Sequence, residues 1–338
     1  MSVPNPSILV LPRPSLYRQL FSSDSDAALR QLGGVSFNDQ ERDFTSEQLA
    51  AVIDNYDVVI TSWRSPRFTD EVLAAARRLK LVAHSAGSIR FMFSQESLER
   101  GFDVTCVAAA MAPAVAEYSL MLTMLLLRPI HKYDRALKSG EDWMAVKSAG
   151  TALEIANQRV GVIGAGHTGR AFIRLLNCVG AKLWVYDPYL SEQDARELNA
   201  KRIDSLDHLL ESCRIVSLQA PVTDETRHMI GQRELALLPD GALLVNTARS
   251  ALVDTDALLA ELQSGRISAA IDVFDEEPLP AGSPFRGLDN CIISPHLAGH
   301  TVETHYRQGA MCVDEVRRFM QGKPLKYAIT RKMMATMA

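Results

Sequence analysis

The segment Val160-Gly161-Val162-Ile163-Gly164-Ala165-Gly166-His167-Thr168-Gly169-Arg170 leaves this chain few ways to fold. An apolar run enters three glycines spaced Gly164-x-Gly166-x-x-Gly169. An amphipathic pattern follows over residues 167–179 and stops at Gly180, a helix-ending glycine. Strand, tight turn and helix in that order open a βαβ unit of a parallel sheet. Gly164 permits the turn, Gly166 lets a pyrophosphate approach the main chain, and Gly169 lets the helix pack on the strand. The helix start at His167 and Thr168 then offers unpaired N–H groups and positive partial charge to an anion. A second apolar run, 182–186, ends at Asp187, 18 residues past Gly169. A carboxylate there accepts the hydroxyls of an adenosine ribose and repels a 2′-phosphate, which favours NAD over NADP. Alone, the glycines mean no more than a tight turn; strand, helix and acid together carry the dinucleotide reading.

Short apolar runs alternate with helical patterns along most of the chain, the signature of parallel βαβ units. Residues 8–11, 58–61, 81–84 and 104–107 read as buried strands, with a helix over 69–79 capped by Thr69. Residues 159–163, 182–186, 215–218, 242–246, 269–273 and 291–294 repeat the alternation. Asp204 can cap a helix over 205–211, and Asp254 or Thr255 a helix that ends at Gly265. In a 338-residue chain this predicts two doubly wound, parallel-sheet α/β domains of Rossmann type. The first break falls around 108–113, and a helix over 302–320 leads the chain back. The expected domains are 1–110 with 303–338, and a dinucleotide-binding domain over 111–302.

Composition narrows the function classes. Lys and Arg number 36 against 40 Asp and Glu, a net charge of −4, which argues against nucleic acid or an anionic membrane as partner. The apolar share of 47% and charged share of 22% are those of a soluble globular chain. Cysteines 106, 178, 213, 291 and 312 form no Cys-x-x-Cys pair and read as reduced thiols. The run 8–11 is too short for an export signal, so a cytoplasmic location is expected. The greasiest stretch, 105–127, contains Pro113 and Glu117 and many small residues; it reads as a core helix rather than a membrane span. His300 and His305 lack a zinc spacing, no acidic loop offers a calcium site, and no metal is expected. No Gly-x-Ser-x-Gly elbow supports Ser85 or Ser88 as a nucleophile.

Three later segments place polar residues just after apolar strands, where open α/β sheets bind ligands. They are Asn246-Thr247-Ala248-Arg249, Asp272-Val273-Phe274-Asp275-Glu276-Glu277-Pro278 and Ser294-Pro295-His296-Leu297-Ala298-Gly299. Reducing a keto acid needs a cation for the carboxylate and a proton donor for the carbonyl. Arg249 offers a planar fork for a carboxylate. A histidine serves as acid or base, and Glu277 can hold the His296 ring in one tautomer. Singly, Arg249 could pair with Asp254, Glu277 could belong to a solvated acidic run, and His296 could cap a turn; their shared position downstream of a dinucleotide turn sets them apart.

With these motifs the chain resembles the D-isomer-specific 2-hydroxyacid dehydrogenases, the family of phosphoglycerate dehydrogenase and glyoxylate/hydroxypyruvate reductase. The resemblance spans about Asp57 to Gly322. It implies an active site in a cleft between the two domains. It implies Arg249 as the substrate-binding arginine, His296 as proton donor and Glu277 as its partner. It implies Thr247, Ala248 and Asp272 around the nicotinamide end, Ala220 beside the adenosine, and Gly299 among the cofactor contacts. Ala86-Gly87-Ser88 resembles the first-domain loop whose N–H groups hold the substrate carboxylate. Residues 131–150, with Trp143, sit where the family builds its dimer, which implies a homodimer.

Some positions depart from the family pattern. His167-Thr168 replaces the usual Arg-Ile, Ser250-Ala251 the usual Gly-Gly, and Ile89-Arg90-Phe91 the usual Asp-Asn after Ser88. The last change puts the usual substrates in doubt. Trp63 and Arg64 could face the pocket or form a surface loop, and the role of His84 is open. The expected function is interconversion of a small D-2-hydroxy acid and its 2-keto acid with NAD. The alternatives are an NAD-sensing, corepressor-like binding protein and a family member using another hydride donor, such as formate or phosphite. The formate enzymes tend to carry Gln where this chain has Glu277. No long peripheral tail and no peptide-docking addition is read in the sequence, which favours the enzyme, and feedback control through an appended module after 330 is not expected.

Overall fold

The computed structural model describes residues 5–150 and 152–336. The chain divides into two compact units: the segment up to Met111 together with the segment from His300, and Ala112–Gly299. The breaks therefore fall one residue later and three residues earlier than the sequence reading put them. The second shift has a local cause. Thr301 caps the helix Val302–Met320 by accepting from the Thr304 N–H at 3.1 Å, so the cap goes with its helix.

In the first unit β1 (Ser7–Val10), β2 (Gly34–Phe37), β3 (Val58–Thr61), β4 (Leu81–His84) and β5 (Asp103–Cys106) form one sheet in the order β2-β1-β3-β4-β5. Every pairing is parallel. β3 and β4 are buried along their whole length, as unbroken apolar runs in a covered parallel sheet should be. Val59, Val82 and Val104 face one core with Leu49 and Ile53. Ile8, Val10, Ile60 and Ala83 face another, closed by Cys312, Val313 and Val316 of the helix Val302–Met320. β2 escaped the sequence reading because Gly34-Val35-Ser36-Phe37 is a half-exposed edge strand with only two apolar side chains. The helices Pro14–Leu20, Ser23–Arg30 and Ser46–Val52 were not anticipated either. The helix expected over 69–79 stops at Ala75; Arg77 and Arg78 instead pair with Asp54 and Asp57.

The second unit carries β6 (Arg159–Ile163), β7 (Lys182–Tyr186), β8 (Lys201–Arg202), β9 (Ile215–Leu218), β10 (Leu243–Asn246), β11 (Ser268–Ile271) and β12 (Cys291–Ile293). They form one parallel sheet in the order β12-β11-β10-β9-β6-β7-β8. Strand order reverses between β6 and β9, the place where doubly wound sheets open a ligand crevice. Ser205, not Asp204, caps the helix Leu206–Ser212, and Asp254 caps Thr255–Gln263. The stretch Ala108–Leu127 is long and apolar enough to cross a membrane, and 44% of it is buried inside the protein. Ala116 belongs to one core with Phe172 and Ile173, and Leu122 to another with Val245 and Ala270.

His84 ends β4 fully buried. Its Nδ1 lies 2.9 Å from the Thr61 hydroxyl, and its ring stands edge-on to Phe91. Burial pulls its pKa from 6.5 down to about 3, weakly opposed by the Ser88 main chain. Between those values the unfolded chain binds a proton that the folded chain does not, so stability falls as pH drops through this window. His84→Gln should remove that loss. In urea titrations between pH 7 and 5, the native chain should lose up to about 1.4 kcal/mol more than the variant per pH unit below the unfolded pKa. Parallel pH curves for the two proteins would refute a buried neutral His84.

Candidate active site

The glycine turn after β6 has the shape its spacing implied. Gly164 takes φ +100°, and a Cβ there would lie 2.7 Å from the Ala220 nitrogen. A Cβ on Gly169 would lie 2.1 Å from the Gly164 carbonyl oxygen, so the helix His167–Cys178 packs against the strand through bare main chain. A Cβ on Gly166 would meet nothing within 4 Å. That open space, at a 12-residue helix whose N-cap is a glycine, is the cradle a pyrophosphate requires. His167 is exposed and Thr168 half-buried at the same end. Arg170 is committed elsewhere: it donates to the Ala165 carbonyl at 3.0 Å and pairs with Asp194 at 3.2 Å.

Asp187 follows β7 and braces the turn. One oxygen accepts from the Ala165 N–H at 2.6 Å, the other from the Tyr189 N–H at 2.8 Å. Each oxygen keeps a lone pair for a ribose hydroxyl. Ala220, beyond β9, is buried against Gly164. The residues of this turn therefore fit a dinucleotide, from the phosphates to the adenosine ribose.

Arg249, Glu277 and His296 follow β10, β11 and β12, adjacent strands of the same sheet. His296 Nδ1 lies 2.8 Å from Glu277 Oε2. Glu277 Oε1 accepts from the Phe274 N–H at 3.0 Å, so main chain and imidazole fix the carboxylate together. Partial burial acts to raise the Glu277 pKa. The bonds from His296 and Phe274, with the charges of His296 and Arg249, outweigh it and hold the carboxyl below its usual range. With Nδ1–H donated to the carboxylate, Nε2 is the ring nitrogen left for proton transfer. Arg249 is half-buried and donates to the Ala248 carbonyl at 2.6 Å. Burial lowers its pKa, and the Glu277 charge raises it.

His296 adopts φ +55°, a left-handed conformation costly for a side chain with a Cβ. Asp272 holds it there. This fully buried carboxylate accepts from the Ser294 hydroxyl at 2.6 Å, the Leu297 N–H at 3.0 Å and the Ala298 N–H at 2.8 Å, on both sides of the histidine. The resemblance placed Asp272 at the nicotinamide; its visible work is to anchor the histidine loop. Gly299 lies in the turn that follows, half-buried. Thr247, nearly buried, shares its hydroxyl with Ser119 at 2.7 Å and Gln219 at 3.5 Å. Asn246 brackets the Arg249 loop by accepting from the Ala248 N–H at 3.1 Å and donating to the Arg249 carbonyl at 2.9 Å. Ser119, Gln219 and Asn246 were not assigned roles beforehand. Asn246 was detectable as the polar end of an apolar strand; Ser119 and Gln219 meet only through the fold.

In the first unit, Ala86-Gly87-Ser88 follows β4. Ser85 donates its N–H and hydroxyl to the Thr61 carbonyl, each at 2.9 Å. The Cys106 thiol lies 3.3 Å and 3.4 Å from the Ala86 and Gly87 carbonyl oxygens. Burial pushes that thiol's pKa up to about 11, so it remains protonated as a donor. With the carbonyls held, the N–H groups of Ala86, Gly87 and Ser88 have no partner among the described residues. Successive free N–H groups of this kind form an anion-binding concavity. Trp63 is half-buried against His305, with ring centroids 5.7 Å apart, and Arg64 is an exposed loop residue at φ +63°.

Residues 120–298 match the model of the "D-isomer specific 2-hydroxyacid dehydrogenase, NAD binding domain" family, and the chain belongs to that family. A hydroxypyruvate reductase of Thermotoga maritima is 32% identical over 288 residues, covering 82% of this chain and 91% of that one. A D-3-phosphoglycerate dehydrogenase of Methanocaldococcus jannaschii is 30% identical over 280 residues, covering 82% of this chain. The chain spans about half the length of that relative, 52%. The crystal structure of the PH0520 protein of Pyrococcus horikoshii superposes with a TM-score of 0.80 at 28% identity, covering 96% of this chain and 95% of the other.

The glycine geometry makes a contrast testable. Gly166→Ala should fold with an unchanged melting temperature and bind NADH at least about tenfold more weakly, because its methyl enters only the cradle. Gly169→Ala should lower the melting temperature by several degrees, because its methyl meets main chain. Fluorescence titration with NADH and thermal unfolding check both. Undiminished NADH binding by Gly166→Ala would show that the phosphates lie elsewhere.

Proposed function

We propose that the protein reduces a small 2-keto acid to the D-2-hydroxy acid with NADH, and catalyses the reverse oxidation. The Glu277–His296 pair carries this reading, because it sits at the carboxyl edge of the sheet that also holds the phosphate cradle. NADH supplies the hydride when bound. Arg249 pairs its guanidinium with the substrate carboxylate and polarises the adjacent carbonyl. In the first unit, the N–H groups of Ala86, Gly87 and Ser88 offer a carboxylate a row of main-chain donors. His296 gives the Nε2 proton to the carbonyl oxygen as the alcohol forms. Glu277 keeps the ring oriented and stabilises its charged state. In the oxidative direction Nε2 takes the proton back.

NAD is favoured over NADP because Asp187 places a carboxylate where a 2′-phosphate would sit. A homodimer is supported by apolar side chains on the helices Ile130–Lys138 and Trp143–Ser148: Ile130 is 59% exposed, Trp143 66% and Met144 59%. A sedimentation-equilibrium mass equal to one chain would remove the dimer.

Steady-state NADH oxidation with a panel of short 2-keto acids tests the activity. His296→Ala should lower turnover about 10²–10⁴-fold while leaving NADH affinity unchanged. Arg249→Lys keeps the charge but loses the fork and should remain severely impaired. A methyl ester of the best keto acid should react far more slowly than the acid. An L-product, or an ester reduced as fast as the acid, would show the site to be misassigned. In the same assay NADH should outperform NADPH, and Asp187→Ala should narrow the gap; equal efficiency of the two in the native chain would discharge Asp187 from cofactor choice.

A further inference from the structure

We propose that Cys106, backed by His84, is a positioning residue for substrate binding: it gathers two consecutive carbonyls of the Ala86–Ser88 loop on one side, so that the loop's N–H groups converge on the other as a seat for a carboxylate. This rests on the reading above, in which the substrate is a 2-keto acid, and assigns the side chains that make the loop able to hold one.

Register brings the two side chains to the loop. His84 and Cys106 are partners across β4 and β5. By alternation they share a face with Val82 and Val104, which meet Cys106 in one core. His84 is fully buried and Cys106 is 5% exposed. The Val107 N–H donates to the His84 carbonyl at 3.2 Å, and Ser85 is tied to the Thr61 carbonyl. The loop therefore leaves the sheet directly above its two supports.

Peptide geometry turns those supports into a binding seat. In an extended strand successive carbonyls point to opposite sides. Here the Ala86 and Gly87 carbonyl oxygens lie 3.3 Å and 3.4 Å from one sulfur, that of Cys106, so two in succession point the same way. In a planar trans peptide C=O and N–H point in opposite directions. The N–H groups of Gly87 and Ser88 are thus turned away from the sulfur together, and neither has a partner among the described residues. Two convergent N–H groups of this kind form a nest for one anionic oxygen. The Ser88 main chain acts to raise the His84 pKa against burial. Of its two polar groups only a carbonyl favours a charged imidazole, so the Ser88 carbonyl faces the ring. It does so without a formed bond: Nδ1 lies against the Thr61 hydroxyl, and Nε2 has no hydrogen-bond partner among the described residues.

The supports are themselves held. The Cys106 N–H donates to the Tyr327 carbonyl at 3.0 Å. Glu315, fully buried, accepts from the Lys326 and Tyr327 N–H groups at 3.1 Å and 3.0 Å and so anchors the segment that backs β5. Burial, weakly opposed by the Ala108 main chain, keeps the proton on the Cys106 sulfur at neutral pH, so the thiol donates. A thiolate there would repel both carbonyls, and an alkyl side chain would leave them unheld.

The test compares Cys106→Ala with Cys106→Ser in the intact chain with NADH, using the best short 2-keto acid and, as a non-reacting acid that reports binding alone, oxamate. Both variants remove the sulfur and shorten the side chain alike, but only serine keeps a donor. Cys106→Ala should raise the KM for the keto acid and the inhibition constant of oxamate together, by about 10–100-fold, the range for lost hydrogen bonds to a charged group. Its kcat should stay within about threefold and its KM for NADH should not change, because the seat grips the carboxylate equally before and during reaction. Cys106→Ser should bring both acid constants back to within about threefold of the native values. Should Cys106→Ala not fold, His84→Leu against His84→Gln makes the same comparison, glutamine keeping a donor. Native acid constants in Cys106→Ala, equal losses in the alanine and serine variants, or a fall in kcat with KM unchanged would overturn the positioning role and leave the reductase standing. Failure of the native chain to reduce any short 2-keto acid would overturn the reductase reading and the inference with it.

Discussion

Within each sheet every paired strand runs parallel to its neighbours, and the position of each functional side chain depends on that. A parallel strand needs a crossover before the next can begin, so the loops that leave the carboxyl ends gather on one edge. Arg249, Glu277 and His296 are far apart in the chain, yet β10, β11 and β12 lie side by side and deliver them to that edge. The phosphate cradle after β6 is on the same edge. In the first unit the same rule brings Ala86 and Gly87 beside Cys106 at the ends of β4 and β5.

Within that frame, main-chain hydrogen bonding does the positioning. Asp272 spends both oxygens on the loop around His296 and holds it in a left-handed turn. Glu277 spends one oxygen on Phe274 before offering the other to the imidazole. Asp187 braces the glycine turn and Asn246 the arginine loop. Each carboxylate or amide therefore sets a loop's shape and presents a group at once. Such sites tolerate little displacement, because a side chain fixed by short bonds cannot follow a shifted partner.

Two clusters of buried polar groups differ in how far they are matched. In the second unit, Ser119, Thr247, Gln219 and Ser217 satisfy one another behind the cofactor strands. In the first, Ser62 Oγ, Thr105 Oγ1, His305 Nε2 and both ends of the Gln308 amide are buried without a partner among the described residues. A satisfied network rigidifies its surroundings; an unsatisfied one lowers stability.

Much of this was legible in the residues. The glycine spacing announced the dinucleotide turn, since only glycine permits φ +100° at Gly164 and main-chain contact at Gly169. Long apolar runs marked the central strands, because burial on both faces leaves no room for polar residues. The edge strands β2 and β8 were silent, since half-exposed short strands need no such run. The end of the helix at Ala75 was silent too: Arg77 and Arg78 lie past it, paired with Asp54 and Asp57 from a distant segment. Sequence determined which chemistry-bearing residues follow which strands. Only the tertiary structure decided that Asp272 turns inward to hold His296, and that the return helix buries Cys312, Val313 and Val316 against Ile60 and Ala83. Those outcomes depend on register and helix phase between distant segments, which local propensity does not encode.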